Sequence, residues 1–413
     1  MKIIKNIGQL AGILPADCHG LYGAGMSHVE IMPDAWLTIG DDGMIMGFGP
    51  MTHVPEGIFD ETIDARGAIV TPTFCDSHTH LVYAGSREGE FIDKIRGLGY
   101  AEIAAHGGGI LNSADRLNDT DEDTLFEQAS RRLTQVRAMG TGVIEIKSGY
   151  GLTLDGELKM LRVIRRLREA YPDMAVKSTF LGAHAVGRAY AGRQEEYVSH
   201  VIDDMLPAVA GEGLADYVDV FCEEGFFTVA QTERILSAGT ALGITPRLHA
   251  NQLHCSGGVQ TGIACGAVSV DHLESVGDAE IEALRSAETI PTLLPGASFF
   301  LGEPFAPARR LIEAGCRVAL ASDYNPGSSP SGSMKFVWSL GCIKMKLSPE
   351  EAFNAITINA AAALGLTESY GSITPGKAAS LIIYQPWVNS LAYIPYAYTE
   401  PTIARVLLRG CDI

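Results

Sequence analysis

None of the eight cysteines stands at a C-x-x-C spacing from another. That argues against a Cys-rich zinc site and a disulfide framework, and it fits a reducing compartment such as the cytoplasm. Basic residues are in short supply: 31 Lys and Arg stand against 49 Asp and Glu, a formal net charge of -18. A chain this acidic is a poor partner for nucleic acid or an anionic membrane, and an anionic substrate would need local Arg or Lys to overcome the field. No apolar run reaches membrane-spanning length. The start, MKIIKNIGQLAGILPADCHG, has only a short apolar stretch interrupted by Gly and Gln, and reads as mature protein rather than a signal peptide. The Gly-rich stretches HGGGI (106–110) and GYG (149–151) lack the spacing of a phosphate-binding loop. The composition that remains, 46% hydrophobic and 19% charged, is ordinary for a soluble globular protein.

At 413 residues the chain suits one large domain plus a smaller one. Residues 1–70 read as β-rich, with alternation and the turn signal GDDG in HVEIMPDAWLTIGDDGMIMGFGP. From there a strand is followed by a helix again and again. TGVIEIKSG precedes LDGELKMLRVIRRLREAYP, MAVKSTFLGA precedes RQEEYVSHVIDDMLPAV, and YVDVFCE precedes VAQTERILSAGTALG. TPRLHANQ, AVSVDHL and TIPTLLPG each lead into a further helical stretch, and RVALASD closes the series. This predicts an α/β fold, a (β/α)8 TIM-like barrel over residues 71–368, with an open doubly wound sheet as the runner-up. SPEEAFNAITINAAAALG reads as a helix capped by Ser348, with Pro349 in its first turn and Glu351 completing a capping box. Residues 369–413 return to β pattern, so the two chain ends are expected to share one small β-rich domain.

CDSHTHLVYAGSRE (75–88) follows the apolar stretch GAIVTPTF, which reads as a strand. Period-two alternation puts His78 and His80 on one side, with Asp76 pointing the same way. Later strands end at His249 (RLHANQ), His272 (SVDHLE) and Asp323 (ALASDYNPG). Alone, His249 or His272 is better read as a core histidine, and Asp323 as a helix cap. Together they all fall at the C-terminal ends of their strands, the rim where barrel active sites sit. Three imidazoles and a carboxylate suit one divalent metal ion, zinc or iron, whose charge lowers the pKa of a bound water; Asp323 beside it can take the proton. Lys177 lies well before its strand's end, and no lysine reads as a bridge between two metals. His254 and Cys255 lie near His249 but read as outside the site.

The order HTH, single His, single His, Asp resembles the amidohydrolase superfamily. HTHLVYAGSREGEF, KSGYGL, LGAHAV, VDVFCE, LHANQ, SVDHLE, SDYNPGS and the GSITPGK tail resemble, in order and over the whole chain, the imidazolonepropionase family. The resemblance implies metal ligation by His78, His80, His249 and Asp323. It implies catalytic roles for Asp323, His272 and Gln252, and substrate binding by Arg87, Tyr150, His184 and Gln252. Asn325, Gly327 and Ser328 match a loop meeting the product end. Arg87 suits a propionate in bidentate geometry; a surface ion pair with Glu88 or Glu90 is the bland alternative. Tyr150 could equally be a packed aromatic and His184 a structural histidine. Two positions depart from the pattern. Gln252 stands where some members carry Glu and cannot move a proton, and Ser380 stands where Asp is common.

The expected activity is hydrolysis of 4-imidazolone-5-propanoate to N-formimidoyl-L-glutamate in histidine degradation. An aminohydrolase of a purine, pyrimidine or related ring is the alternative, and a barrel that only binds is a third. The expected partner is a small-molecule substrate, with no nucleic acid or membrane, and a homodimer is the default assembly.

Overall fold

The computed structural model describes residues 1–97 and 108–413. His106 and Gly107 of the HGGGI stretch therefore lie outside the described residues. Eight strands lie side by side in chain order: Phe74–Asp76, Thr141–Lys147, Ala175–Ala183, Tyr217–Cys222, Leu248–Ala250, Ser269–His272, Ile290–Leu293 and Ala319–Leu320. Every pairing along this path is parallel. The ends meet through a parallel bridge between Thr79 and Tyr324 and a hydrogen bond from Asp323 N to His78 O of 3.0 Å, so the barrel is nearly closed.

Helices on the outside cover the strands. Leu154–Ala170 begins where the Thr153 side chain accepts from Gly156 N, and Val229–Ala241 begins with a Thr228–Gln231 capping box. Both satisfy orphan N–H groups at a helix start. The expected capping box at Ser348 is present: its hydroxyl accepts from Glu351 N at 3.1 Å, and Glu351 accepts from Ser348 N at 2.7 Å.

A second sheet takes strands from both chain ends, in the order Cys411–Asp412, Ile403–Leu408, Leu381–Tyr384, Ile69–Pro72, Lys2–Ile13, Glu30–Ile39 and Ile45–Pro50. Its buried face holds Ile4, Leu10, Leu37, Val70, Leu381 and Leu407. Ser380 is buried at its margin, where its hydroxyl accepts from Arg409 N.

Three local expectations are corrected. GAIVTPTF is two strands: Ile69–Pro72 belongs to the terminal sheet and Phe74–Asp76 to the barrel. The helical stretch 194–211 widens into a π-turn at Val201–Met205, because Pro207 has no N–H to continue the ladder. The helix after Ser348 breaks into Pro349–Ala355 and Ile358–Ala362. The break falls on the β-branched run Ile356–Thr357–Ile358, where the Thr357 hydroxyl bonds back to Phe353 O at 2.7 Å.

Candidate active site

Parallel barrel strands present all their C-terminal ends on one rim. Here that geometry gathers residues far apart in the chain. The extended segment beyond Asp76 carries His78 and His80, Leu248–Ala250 carries His249, and the turn after Ala319–Leu320 carries Asp323. One ring nitrogen each of His78, His80 and His249 lies within 4.8 Å of the others. Asp323 Oδ1 stands 3.6 Å from Nε2 of both His78 and His80.

Behind the histidines lies a network of charges with no exposure. His78 Nδ1 is 2.7 Å from Asp271 Oδ2, and His249 Nδ1 is 3.0 Å from Asp219 Oδ2. Lys147 Nζ stands 2.9 Å from Asp219, 2.9 Å from Glu145 and 3.7 Å from Asp271, while Arg247 adds a contact to Asp271 at 3.1 Å. A carboxylate on Nδ1 fixes the ring tautomer and aims Nε2 at the centre. Nε2 of His78 and of His249 is buried and, among the described residues, has no hydrogen-bond partner. Buried polar atoms are seldom left unpaired. Two such nitrogens beside a third imidazole and a carboxylate fit a divalent cation. Burial pushes His78 and His80 well below the usual histidine range, which keeps them neutral, as ligation requires.

Asp76 does not point with His78 and His80, as the alternation had predicted. It accepts from Ser322 N and the Ser322 hydroxyl, linking the first strand to the last, and burial pushes its carboxyl up to about 7. His254 is 57% exposed, with Nδ1 3.4 Å from Glu223, and the exposed Cys255 thiol faces Ser275 O. Neither belongs to the histidine cluster.

His80, His249 and Asp323 line a cavity of about 560 Å³, together with Arg87, Tyr150, His184, Gln252 and His272. His184 stacks on His80 with centroids 5.2 Å apart, and its Nδ1 donates to Gly149 O at 3.0 Å. Burial lowers His184 to about 3. Gly149, at φ +104°, permits this approach, since a Cβ there would meet His184 Nδ1 at 3.0 Å. Tyr150 is buried with its ring 5.5 Å from that of His184. Gln252 lines the cavity, and among the described residues its amide makes no hydrogen bond. His272 closes another side, its ring 5.3 Å from that of His249. Burial alone would lower it, but the Glu274 carboxylate prevails and His272 is pushed up to about 8.

Arg87 lines the cavity and grips Glu90 with two nitrogens, so the ion pair with Glu90 is present at the cavity wall. Gly327 gives it room, because a Cβ there would fall 2.3 Å from Arg87 Nη1. Asn325 is committed to its own loop. Its carbonyl accepts from Gly327 N and Ser328 N, both at 2.8 Å, and its amide donates to Asp323 O and Ser328 Oγ. The fold thus brings eleven of the twelve expected site residues to the lining of one cavity, and the twelfth, His78, is buried against His80 and His249. Residues 145, 147, 219, 247, 271 and 274 were not anticipated, though a charge inside an apolar strand run is the signal that marks most of them.

A model described as the amidohydrolase family matches residues 239–410. The solved structure of an adenosine deaminase from Xanthomonas campestris with bound zinc aligns with 100% of this chain and 92% of its own, at a TM-score of 0.70 and 16% identity, a likeness of fold. A parallel barrel with a histidine cluster on its C-terminal rim, flanked by a sheet from both chain ends, defines a hydrolase of the amidohydrolase type. An imidazolonepropionase of Flavobacterium johnsoniae is 51% identical over 99% of this chain and 99% of its own length. One of Christiangramia forsetii is 50% identical over 99% and 98%. The chain belongs to the imidazolonepropionase family.

Proposed function

We propose that the protein hydrolyses 4-imidazolone-5-propanoate to N-formimidoyl-L-glutamate. The observation that carries this reading is an arginine in the wall of the same cavity that His80 and His249 of the histidine cluster line. A substrate with a carboxylate arm and a hydrolysable ring needs both. The proposal takes one divalent ion, zinc or iron, held by His78, His80, His249 and Asp323. Such an ion supplies Lewis acidity and lowers the pKa of water.

The residues do the rest. Asp323 accepts a proton from the water that adds to the ring carbonyl carbon. The ring C–N bond then breaks, the carbonyl carbon becomes a carboxylate, and the departing nitrogen takes a proton. Gln252 has no proton of suitable acidity, so it orients the ring and His272 delivers the proton. Tyr150 and His184 hold the ring, and Arg87 holds the propionate as a charge-assisted pair. Asn325, Gly327 and Ser328 shape the loop that meets the product end.

A cytoplasmic homodimer is part of the proposal; the eight free cysteines suit a reducing compartment. Among the described residues no helix is long and apolar enough to cross a membrane.

The test supplies imidazolone-propionate, follows loss of its ultraviolet absorbance, measures ammonia, and assays zinc and iron on the same sample. Ring opening consumes substrate without ammonia. Ammonia release from a purine or pyrimidine, with no turnover of imidazolone-propionate, would move the protein to the aminohydrolases.

A further inference from the structure

Glu274 is 5% exposed on its side chain and does not line the cavity. Its Oε1 accepts from Ser298 Oγ at 3.3 Å, on the helix Pro295–Leu301. Its Oε2 lies 3.5 Å from His272 Nδ1, and among the described residues neither of these two atoms has a hydrogen-bond partner. Each is therefore the nearest complement of the other in a place closed to water, where an unpaired polar atom is costly.

The backbone is bent to make the meeting possible. His272 (φ +86°) and Leu273 (φ +70°) both occupy the left-handed region that residues other than glycine rarely adopt. Two such residues in succession turn the chain sharply at the end of the strand Ser269–His272 and bring Glu274 back against the ring of His272. Backbone strain of this kind persists where surrounding structure holds it, and it concentrates at functional sites.

His78 and His249 each carry an aspartate on Nδ1, and in both the opposite nitrogen is aimed into the cluster. His272 has Glu274 in the same place at a longer 3.5 Å, and its ring is a wall of the cavity rather than a member of the three-histidine group. An acceptor on Nδ1 fixes the tautomer and leaves Nε2 on the cavity side, the logic of a base oriented by a third group. Gln252, which also lines the cavity, cannot substitute, since a carboxamide does not release a proton.

We propose that Glu274 is a positioning residue that takes the Nδ1–H of His272 and leaves Nε2 facing the substrate, so that the imidazolium, and not Gln252, gives its Nε2 proton to the leaving nitrogen and is left as the Nδ1–H tautomer. The kinetic part of this inference rests on the hydrolysis proposed above.

The experiment uses the zinc-loaded enzyme and the variants Glu274→Ala, Glu274→Gln, His272→Ala and the double variant His272→Ala/Glu274→Ala. We expect Glu274→Ala to lose about 10- to 100-fold in kcat, with KM within about threefold and zinc content unchanged. The double variant should be no slower than His272→Ala alone, because the carboxylate acts only through the ring. Glu274→Gln keeps the shape and an acceptor oxygen, so it should lose less than Ala; it also serves if Ala does not fold. A kcat within twofold of the parent for Glu274→Ala, or losses that multiply in the double variant, would overturn the proposal. Nitrogen NMR of histidine-labelled, zinc-loaded, substrate-free enzyme gives a readout independent of the reaction. The proposal expects a protonated Nδ1 and an unprotonated Nε2 at His272 above its neutralisation, a pattern lost in Glu274→Ala. The opposite tautomer in the parent would overturn it. If the parent fails to turn over imidazolone-propionate, the proposed function falls while the NMR still decides the pair.

Discussion

His78 Nδ1 lies 2.7 Å from Asp271 Oδ2, and neither side chain has any exposure. The contact binds the first strand of the barrel to the sixth and directs the opposite face of the imidazole toward His80 and His249. A ring so held presents its lone pair without paying for reorientation when a cation arrives. Asp271→Asn keeps the shape but weakens the acceptor. The expected outcome is a 10- to 100-fold loss of metal affinity, measured by chelator competition, with the fold retained by circular dichroism. An affinity within twofold of the parent would show that the carboxylate does not orient His78.

Asp323 is proposed both to touch the metal and to take the proton of the attacking water. Asp323→Asn retains an oxygen donor and loses the ability to accept a proton. Removing a general base costs about 10²- to 10⁴-fold in rate. The expected outcome is a fall in kcat of that order with much of the metal retained, read by steady-state kinetics beside metal analysis. A variant within a few-fold of the parent would assign the proton to another group, with His272 next in line.

Arg87, proposed to hold the substrate arm, is already engaged with Glu90, which pre-orients its planar fork. Losing a hydrogen bond to a charged group costs roughly 1.5–3 kcal/mol, or about 10- to 150-fold in kcat/KM. Arg87→Met should show that loss with imidazolone-propionate and almost none with an imidazolone lacking the propionate, which the parent should itself turn over poorly. Arg87→Lys should be harmful too, because a single ammonium cannot replace a fork. Equal slowing of both substrates would mean that the arginine's service is to Glu90 alone.

Stability against acid is expected to run through Asp216, just before the strand Tyr217–Cys222 and at the face of the barrel opposite the site. Its carboxylate takes Ser178 N at 2.9 Å, Lys177 Nζ at 2.9 Å and Arg168 Nη2 at 2.7 Å. Burial works against the charge, but these donors outweigh it and hold the carboxyl below its usual range. A depressed folded pKa adds stability above the unfolded value, near 3.9, and that stability is lost as pH falls toward the folded value. Asp216→Asn should therefore cost about 1–3 kcal/mol at pH 7 in urea denaturation, with the gap to the parent narrowing below about pH 4. A gap that stays constant between pH 7 and pH 3.5 would rule out the ion pairs as its source.

His78, His80, His249, His272 and Asp323 were legible in the sequence because each follows a strand-like run at the same end, and a parallel barrel turns that shared position into a shared place. The network beneath them was not. Asp271 sits 193 residues from the histidine it orients, and the pairing depends on which strands become neighbours across the barrel. A local signal did exist: Glu145, Lys147, Asp219 and Arg247 interrupt apolar strand patterns, and a charge in a buried strand must find its counter-charge. Asp76 misled for a related reason. Period two fixes which side a residue faces only while one strand continues, and the short strand Phe74–Asp76 ends there. The broken helices were half legible, since Pro207 lies within the predicted run, whereas the Thr357 break depends on a hydroxyl competing for the backbone.

The chain's two ends share a sheet, and this sets a timetable for synthesis. The strand Lys2–Ile13 can pair with Glu30–Ile39 as soon as both leave the ribosome, but Ile69–Pro72 waits for Leu381–Tyr384. Phe74 follows that waiting strand by two residues, and the barrel's own seam joins residues 78–80 to 323–324. Neither the sheet nor the barrel can be completed until nearly the whole polypeptide has emerged. The nascent chain therefore carries an open β-edge and an open barrel through most of translation, the condition under which chaperones are recruited.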